Sequence, residues 1–171
     1  MTDCPVAPDR SRRAFLQGRR STRPAPLRPP WAAAGFAAAC SACGDCLPAC
    51  PEAILVRGEG GLPEVDFRRG ECSFCGACAA ACPEPAFEAA RAAPWRLEVR
   101  VSQACLAERD VVCRSCGDAC PEAAIAFPLS LGGTPRPIVE AAACSGCGAC
   151  VSACPTEAVT LVVPDPVAGH G

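Results

Sequence analysis

The sequence predicts a small α+β fold made of two tandem copies of one unit, with short strands, single-turn helices and a basic, irregular N-terminal arm. Three observations carry that expectation. Sixteen of the 17 cysteines fall into four blocks of similar spacing. The last cysteine of each block is followed by proline (51, 83, 121, 155) and then by a short apolar run. The apolar material is rich in Ala and Cys, with no Tyr, two Trp and six Phe in 171 residues, so the core is thin. Small domains with thin cores need covalent or metal staples.

The elements follow in chain order. Residues 1–30 are basic and Pro-rich and read as an arm with one short helical turn near Arg13–Gln17. A first unit spans 31–90 and holds the blocks Cys40–Cys50 and Cys72–Cys82. A second spans 96–164 and holds Cys105–Cys120 and Cys144–Cys154; residues 165–171 are a tail. The runs Ala53–Val56, Pro85–Phe87, Ala124–Phe127 and Ala158–Val163 are too short for helices and read as strands. Gly58–Gly61 is a turn, with Pro63–Phe67 as its return strand; Leu131–Thr134 is another, with Arg136–Glu140 as its return. Arg96–Val101 alternates with period two, as a half-buried strand does. Single helical turns are expected at Ala79–Ala81 and Val151–Ala153, and residues 88–95 read as a link.

Three blocks share the pattern C-x2-C-x2-C-x3-C-P: Cys40, Cys43, Cys46, Cys50; Cys72, Cys75, Cys78, Cys82; and Cys144, Cys147, Cys150, Cys154. This is the bacterial ferredoxin run for [4Fe–4S] clusters, whose fourth cysteine ligates the other cluster of a two-cluster unit. Two-residue spacers wrap the backbone around one corner of a cubane. The fourth cysteine lies about one helical turn beyond the third and projects away from that wrap. Gly44, Gly76, Gly117 and Gly148 sit between close cysteines, where a missing Cβ permits positive φ and lets amides approach cluster sulfur. The third block departs: Cys105-x7-Cys113-x2-Cys116-x3-Cys120, with the first cysteine displaced by five residues. A longer loop costs little free energy, so a fourth [4Fe–4S] cluster is expected there, a three-iron or empty site being the alternative. By adjacency, Cys40, Cys43 and Cys46 share a cluster with Cys82; Cys72, Cys75 and Cys78 with Cys50; Cys105, Cys113 and Cys116 with Cys154; and Cys144, Cys147 and Cys150 with Cys120.

Zinc and disulfides are the competing readings. Zinc ribbons use separated C-x2-C pairs rather than a triple followed by C-x3-C-P. A disulfide framework implies export. Ser11–Leu16 looks like a twin-arginine export signal, but Gln17–Pro24 is polar and basic where an apolar stretch should follow. No run approaches the roughly 18 apolar residues of a membrane helix. The expectation is a soluble, cytoplasmic chain with no membrane insertion.

Charge is unevenly spread. Residues 1–30 hold seven Arg against Asp3 and Asp9, a net of +5, whereas 31–171 hold nine Arg against sixteen acids, a net of −7. An acidic body carrying anionic clusters argues against nucleic acid as a partner. Arg12, Arg13, Phe15 and Leu16 combine charge with two apolar anchors. They read either as a docking segment for an acidic or cofactor-bearing partner or as part of a solvated basic tail. Cys4 and His170 read as a non-ligand and a tail residue. Without His in the body no acid–base constellation can be assembled, so no enzymatic activity is expected.

The chain resembles the NapF family of ferredoxin-type accessory proteins of the periplasmic nitrate reductase system. The resemblance runs through Ser11–Arg19, Arg28-Pro29-Pro30-Trp31 and the first cysteine block. It continues through Ile54–Phe67 into Gly70–Cys78, and the displaced Cys105 fits it too. It implies a cytoplasmic protein without a cleaved signal that contacts the nitrate reductase catalytic subunit and assists its maturation before export. Two other roles compete with this one: an electron-transfer polyferredoxin subunit of a redox complex, and a sensor or scaffold with labile clusters.

Overall fold

In the computed structural model, residues 26–88, 93–130 and 132–164 are described. Three two-stranded antiparallel sheets, five single-turn α-helices and two 3-10 turns (Glu59–Gly61 and Ala107–Arg109) make up the regular structure among them. Strand β1 (Leu55–Arg57) pairs with β2 (Pro63–Val65), in the register Leu55↔Val65. Pro63 opens β2, a strand position where a missing N–H is tolerated. β3 (Glu98–Val101) pairs with β6 (Val159–Val162), and β4 (Ile125–Ala126) with β5 (Ile138–Val139). The helical turns are α1 (Phe36–Ala39), α2 (Cys46–Ala49), α3 (Ala77–Ala80), α4 (Ser115–Asp118) and α5 (Ala149–Ser152).

Each half thus has an inner hairpin and an outer pairing of its first and last segments. In the C-terminal half the outer pair is the full β3–β6 ladder, in which Val99 faces Leu161 and Val101 faces Val159. In the N-terminal half it is the single bridge Ala32↔Phe87. The strand expected at Pro85–Phe87 is therefore not formed, and the repeat explains why. Three residues after the fourth cysteine, Ala53, Ala123 and Glu157 adopt φ of 51°, 49° and 51°. Their amides bond back to Cys50, Cys120 and Cys154 carbonyls at 3.1, 3.1 and 3.3 Å. This turn launches the strand. The equivalent residue in the second block is Pro85, whose ring holds φ near −65° and which has no N–H to donate.

The other strands are shorter than expected by one or two residues at an end. β1 starts at Leu55 because Ala53 is still in the turn. The helical turns begin earlier than expected, directly after Gly76 and Gly148, which are left-handed N-caps at φ 75° and 90°. Pro48 sits in the first turn of α2, where proline is tolerated.

Buried side chains form three clusters. One joins Cys46, Leu55 and Cys78 in the N-terminal half. Another joins Cys116, Ile125, Cys150 and Val159 in the C-terminal half. The third lies between the halves: Ile54, Phe67 and Leu161, with Leu27, Trp95, Leu97 and Val99 against them. Leu27–Pro30, read from the sequence as arm, pack on the body. The Leu27 carbonyl accepts the Val65 amide at 2.8 Å, and Arg28 reaches the Pro63 carbonyl at 3.2 Å. Among the described residues no helix is long and apolar enough to cross a membrane.

Candidate metal centres

The cysteines group across blocks. Burial pushes the Cys46 thiol up, and the nearby Cys40, Cys43 and Cys82 add to the shift. Cys82, from the second block, therefore lies near Cys46 of block one. Cys78 is pushed up to about 11 by burial, with Cys72, Cys50 and Cys75 as its charged neighbours. In the C-terminal half the grouping appears as two cavities. One is lined by Cys105, Cys113, Cys116 and Cys154. The other is lined by Cys144, Cys147, Cys150 and Cys120. These four groups are numbered below by the block that contributes three cysteines.

The wrap around each group comes from left-handed backbone. In the first C-x2-C spacer, Ala42, Phe74 and Gly146 have φ of 57°, 53° and 77°. In the second, Gly44, Gly76 and Gly148 have φ of 91°, 75° and 90°. These two consecutive turns aim the chain around a corner and place the third cysteine inward: Cys46, Cys78, Cys116 and Cys150 are 7–8 % exposed. Set three differs. Arg114 replaces the second-spacer glycine with φ −131°, and the left-handed residue is Asp110, φ 58°, in the inserted loop. Gly117 corrects the sequence expectation. It lies inside α4 without positive φ, and its missing Cβ makes room for the Phe127 ring and the Ile125 carbonyl.

Backbone amides converge on the fourth cysteines. Ala124 N–H donates to Cys120 Sγ at 3.3 Å, and Ala158 N–H to Cys154 Sγ at 3.2 Å. Burial raises Cys154, but bonds from Thr156, Ala158 and Val159 outweigh it and leave the thiol below its ordinary range. Such donors favour thiolate over thiol, the form that binds iron. Cys150 goes the other way: burial, then charge on Cys147 and Cys144, pushes it up to about 12. Crowded buried thiols of this kind call for a cation to offset their charge when deprotonated.

Among the described residues no three His, Cys, Asp or Glu side chains converge on a single metal ion. In the C-terminal half the cysteines instead stand around two spaces, the arrangement a four-iron core requires. Side chains that the sequence reading did not single out surround these spaces. Arg57 bonds the Ala42 carbonyl at 3.1 Å and lies against Gly44, pinning the block-one loop to β1. Arg114 stacks over Phe127 at 5.5 Å beside set three. Phe67 occupies the place of a Gly148 Cβ, and Trp95 that of a Gly146 Cβ. Trp95 was legible only as one of two tryptophans. Arg12, Arg13, Phe15, Leu16, Cys4 and His170 lie outside the described residues.

The 4Fe-4S dicluster domain family matches residues 39–86 and again 111–158. Two such domains and sixteen cysteines fit four [4Fe–4S] clusters. The chain is 46 % identical to "Ferredoxin-type protein NapF" of Haemophilus influenzae, covering 88 % of this chain and 92 % of that one. The chain belongs to the NapF family of ferredoxin-type proteins. NapF of Escherichia coli K12 is 44 % identical, covering 89 % of this chain and 94 % of its own. "Ferredoxin-type protein NapG" of Haemophilus influenzae is 33 % identical and covers 81 % of this chain but 58 % of that protein. The match to NapF extends beyond the two dicluster segments, so the family resemblance includes more than cysteine spacing.

Proposed function

We propose that this NapF-family chain is a cytoplasmic iron–sulfur accessory protein that binds the catalytic subunit of a periplasmic nitrate reductase before export and assists its maturation. Its clusters are held by Cys40, Cys43, Cys46 and Cys82; by Cys72, Cys75, Cys78 and Cys50; by Cys105, Cys113, Cys116 and Cys154; and by Cys144, Cys147, Cys150 and Cys120. When bound, the clusters supply one-electron redox chemistry. The chain's own residues hold them, exclude water at the third cysteine of each set and donate amide hydrogen bonds to Cys120 and Cys154. The protein is an accessory or electron-transfer protein and not an enzyme. The docking segment is Arg12, Arg13, Phe15 and Leu16, whose charge suits an acidic partner surface.

The observation that carries this reading is the near full-length similarity to NapF proteins. The buried clusters that join sets one and two, sets three and four, and the two halves favour a second reading, an electron-transfer subunit of a redox complex. An anaerobic pull-down with this protein as bait separates the two. Capture of the cytoplasmic precursor of the nitrate reductase catalytic subunit, and not of its mature exported form, is the expected result. Capture of the mature form, or of neither, overturns the maturation role.

A further inference from the structure

The two halves meet at the second and fourth cysteine sets. The Cys72 amide donates to the Cys147 carbonyl at 2.7 Å, across 75 residues of sequence. A backbone bond of this kind places the two Cα atoms roughly 5–6 Å apart. The side chains around it come from the N-terminal half and from the link, and they pack on glycines of the C-terminal half. Phe67 lies over Gly148, immediately after Cys147. Trp95 lies over Gly146, immediately before Cys147, and meets Phe67 and Phe74 edge-on at 5.8 and 5.9 Å. Phe74 is in turn the residue before Cys75. The indole Nε1 of Trp95 is buried and has no hydrogen-bond partner among the described residues, so it can donate toward sulfur.

The same packing keeps the other two sets out of the junction. The buried cluster between the halves includes Cys50 and Cys72, both of set two, and no cysteine of set one or three. Its residues Val99 and Leu161 also line the set-four cavity, whereas the set-three cavity shares no residue with it. Within the N-terminal half, sets one and two share the core around Leu55. Within the C-terminal half, sets three and four share the core around Ile125 and Val159.

We infer that the four ligand sets form one unbranched series in the spatial order one, two, four, three, joined through the Cys72–Cys147 junction. This rests on the ligand sets proposed above and not on the identity of the partner. The series makes the molecule a single conductor and not two separate two-cluster carriers. One electron given to set one by a low-potential one-electron reductant reaches set three only through sets two and four. At each step one cluster is oxidised by one unit as its neighbour is reduced by one. Phe67, Phe74 and Trp95 are positioning residues that fill the gap between the two middle sets and keep water from it.

The test uses the anaerobically purified full chain, reduced with dithionite and read by electron paramagnetic resonance. Cys40→Ala with Cys43→Ala removes set one and lowers iron by one quarter. The order predicts that set two remains magnetically coupled, now to set four, and that no isolated cluster signal appears. Cys105→Ala with Cys113→Ala removes set three from the other half and predicts the same: set four stays coupled to set two. An isolated signal in either variant overturns the order. Unchanged iron content in these variants would instead overturn the ligand assignment. As a control, Cys75→Ala with Cys78→Ala removes set two and should leave set one as a new isolated signal. The absence of that signal would also overturn the order.

Discussion

The N-terminal and C-terminal halves repeat the same cysteine geometry and close it differently. The C-terminal half joins its first and last segments by a four-residue ladder, and its Gly148 is covered by Phe67. The N-terminal half makes one bridge, Ala32↔Phe87, and its equivalent Gly76 faces nothing within 4 Å. It substitutes aromatic packing for backbone pairing: Phe36 meets Phe87 edge-on at 5.4 Å, and Trp31 meets Phe74 at 6.5 Å. The difference teaches that the cluster wrap and the sheet that backs it are separable. Three of the four blocks keep the same local wrap, while the outer strand pair forms only where the post-cysteine turn can take positive φ.

The largest effect should come from removing a ligand. Cys75→Ser should lose the set-two cluster, lower iron by about a quarter and destabilise the N-terminal half before the C-terminal half, because metal binding there is coupled to folding. Iron analysis and calorimetry read both; unchanged iron with an unchanged transition would break the assignment. A smaller effect separates the two equivalent glycines. Gly76→Ala meets only the left-handed backbone penalty of roughly 1–2 kcal/mol. Gly148→Ala adds a collision with the Phe67 ring, worth roughly 1–3 kcal/mol more. Denaturant unfolding should rank Gly148→Ala clearly lower, and equal costs would show that the junction is slack.

Pro85→Gly should let the second block form the turn that Ala53, Ala123 and Glu157 form in the other three. Hydrogen exchange should then slow at Phe87 and Glu88; unchanged exchange would place the block at Pro29 and Pro30 instead. The smallest effect is expected at Asp66, whose carboxyl is held below its ordinary range by the Arg68 hydrogen bond, against some burial. That contribution is present above the carboxylate's unfolded pKa and is lost as pH falls through the lowered folded value. Arg68 is largely exposed and solvent screens the pair, so Asp66→Asn should barely move the unfolding midpoint at neutral pH and should flatten its acid limb.

Much of the repeat was legible because its chemistry is local. Three cysteines within seven residues can only wrap one corner of a cluster, and the spacers Ser41-Ala42 and Ser145-Gly146 lie in the turns this requires. The hairpin at Gly58–Gly61 was legible for the same reason, since Gly60 and Gly61 take φ of 67° and 79°. Gly117 was misread because it occupies the same kind of position in the sequence as the other glycines while lying one cysteine later in its block. Its displaced first cysteine hid the offset, and only Phe127 against its Cα shows what the glycine is for.

By itself, the sequence determined the fold class, the four cysteine blocks, the turns between them and the kind of cofactor they suit, because ligand spacing and glycine placement act over a few residues. Tertiary structure alone decided how the halves meet: Cys72 on Cys147, Phe67 on Gly148, Trp95 on Gly146, and β3 on β6. These contacts join residues some 50 to 80 positions apart. Neither helical nor strand periodicity records which distant surfaces will exclude water from one another.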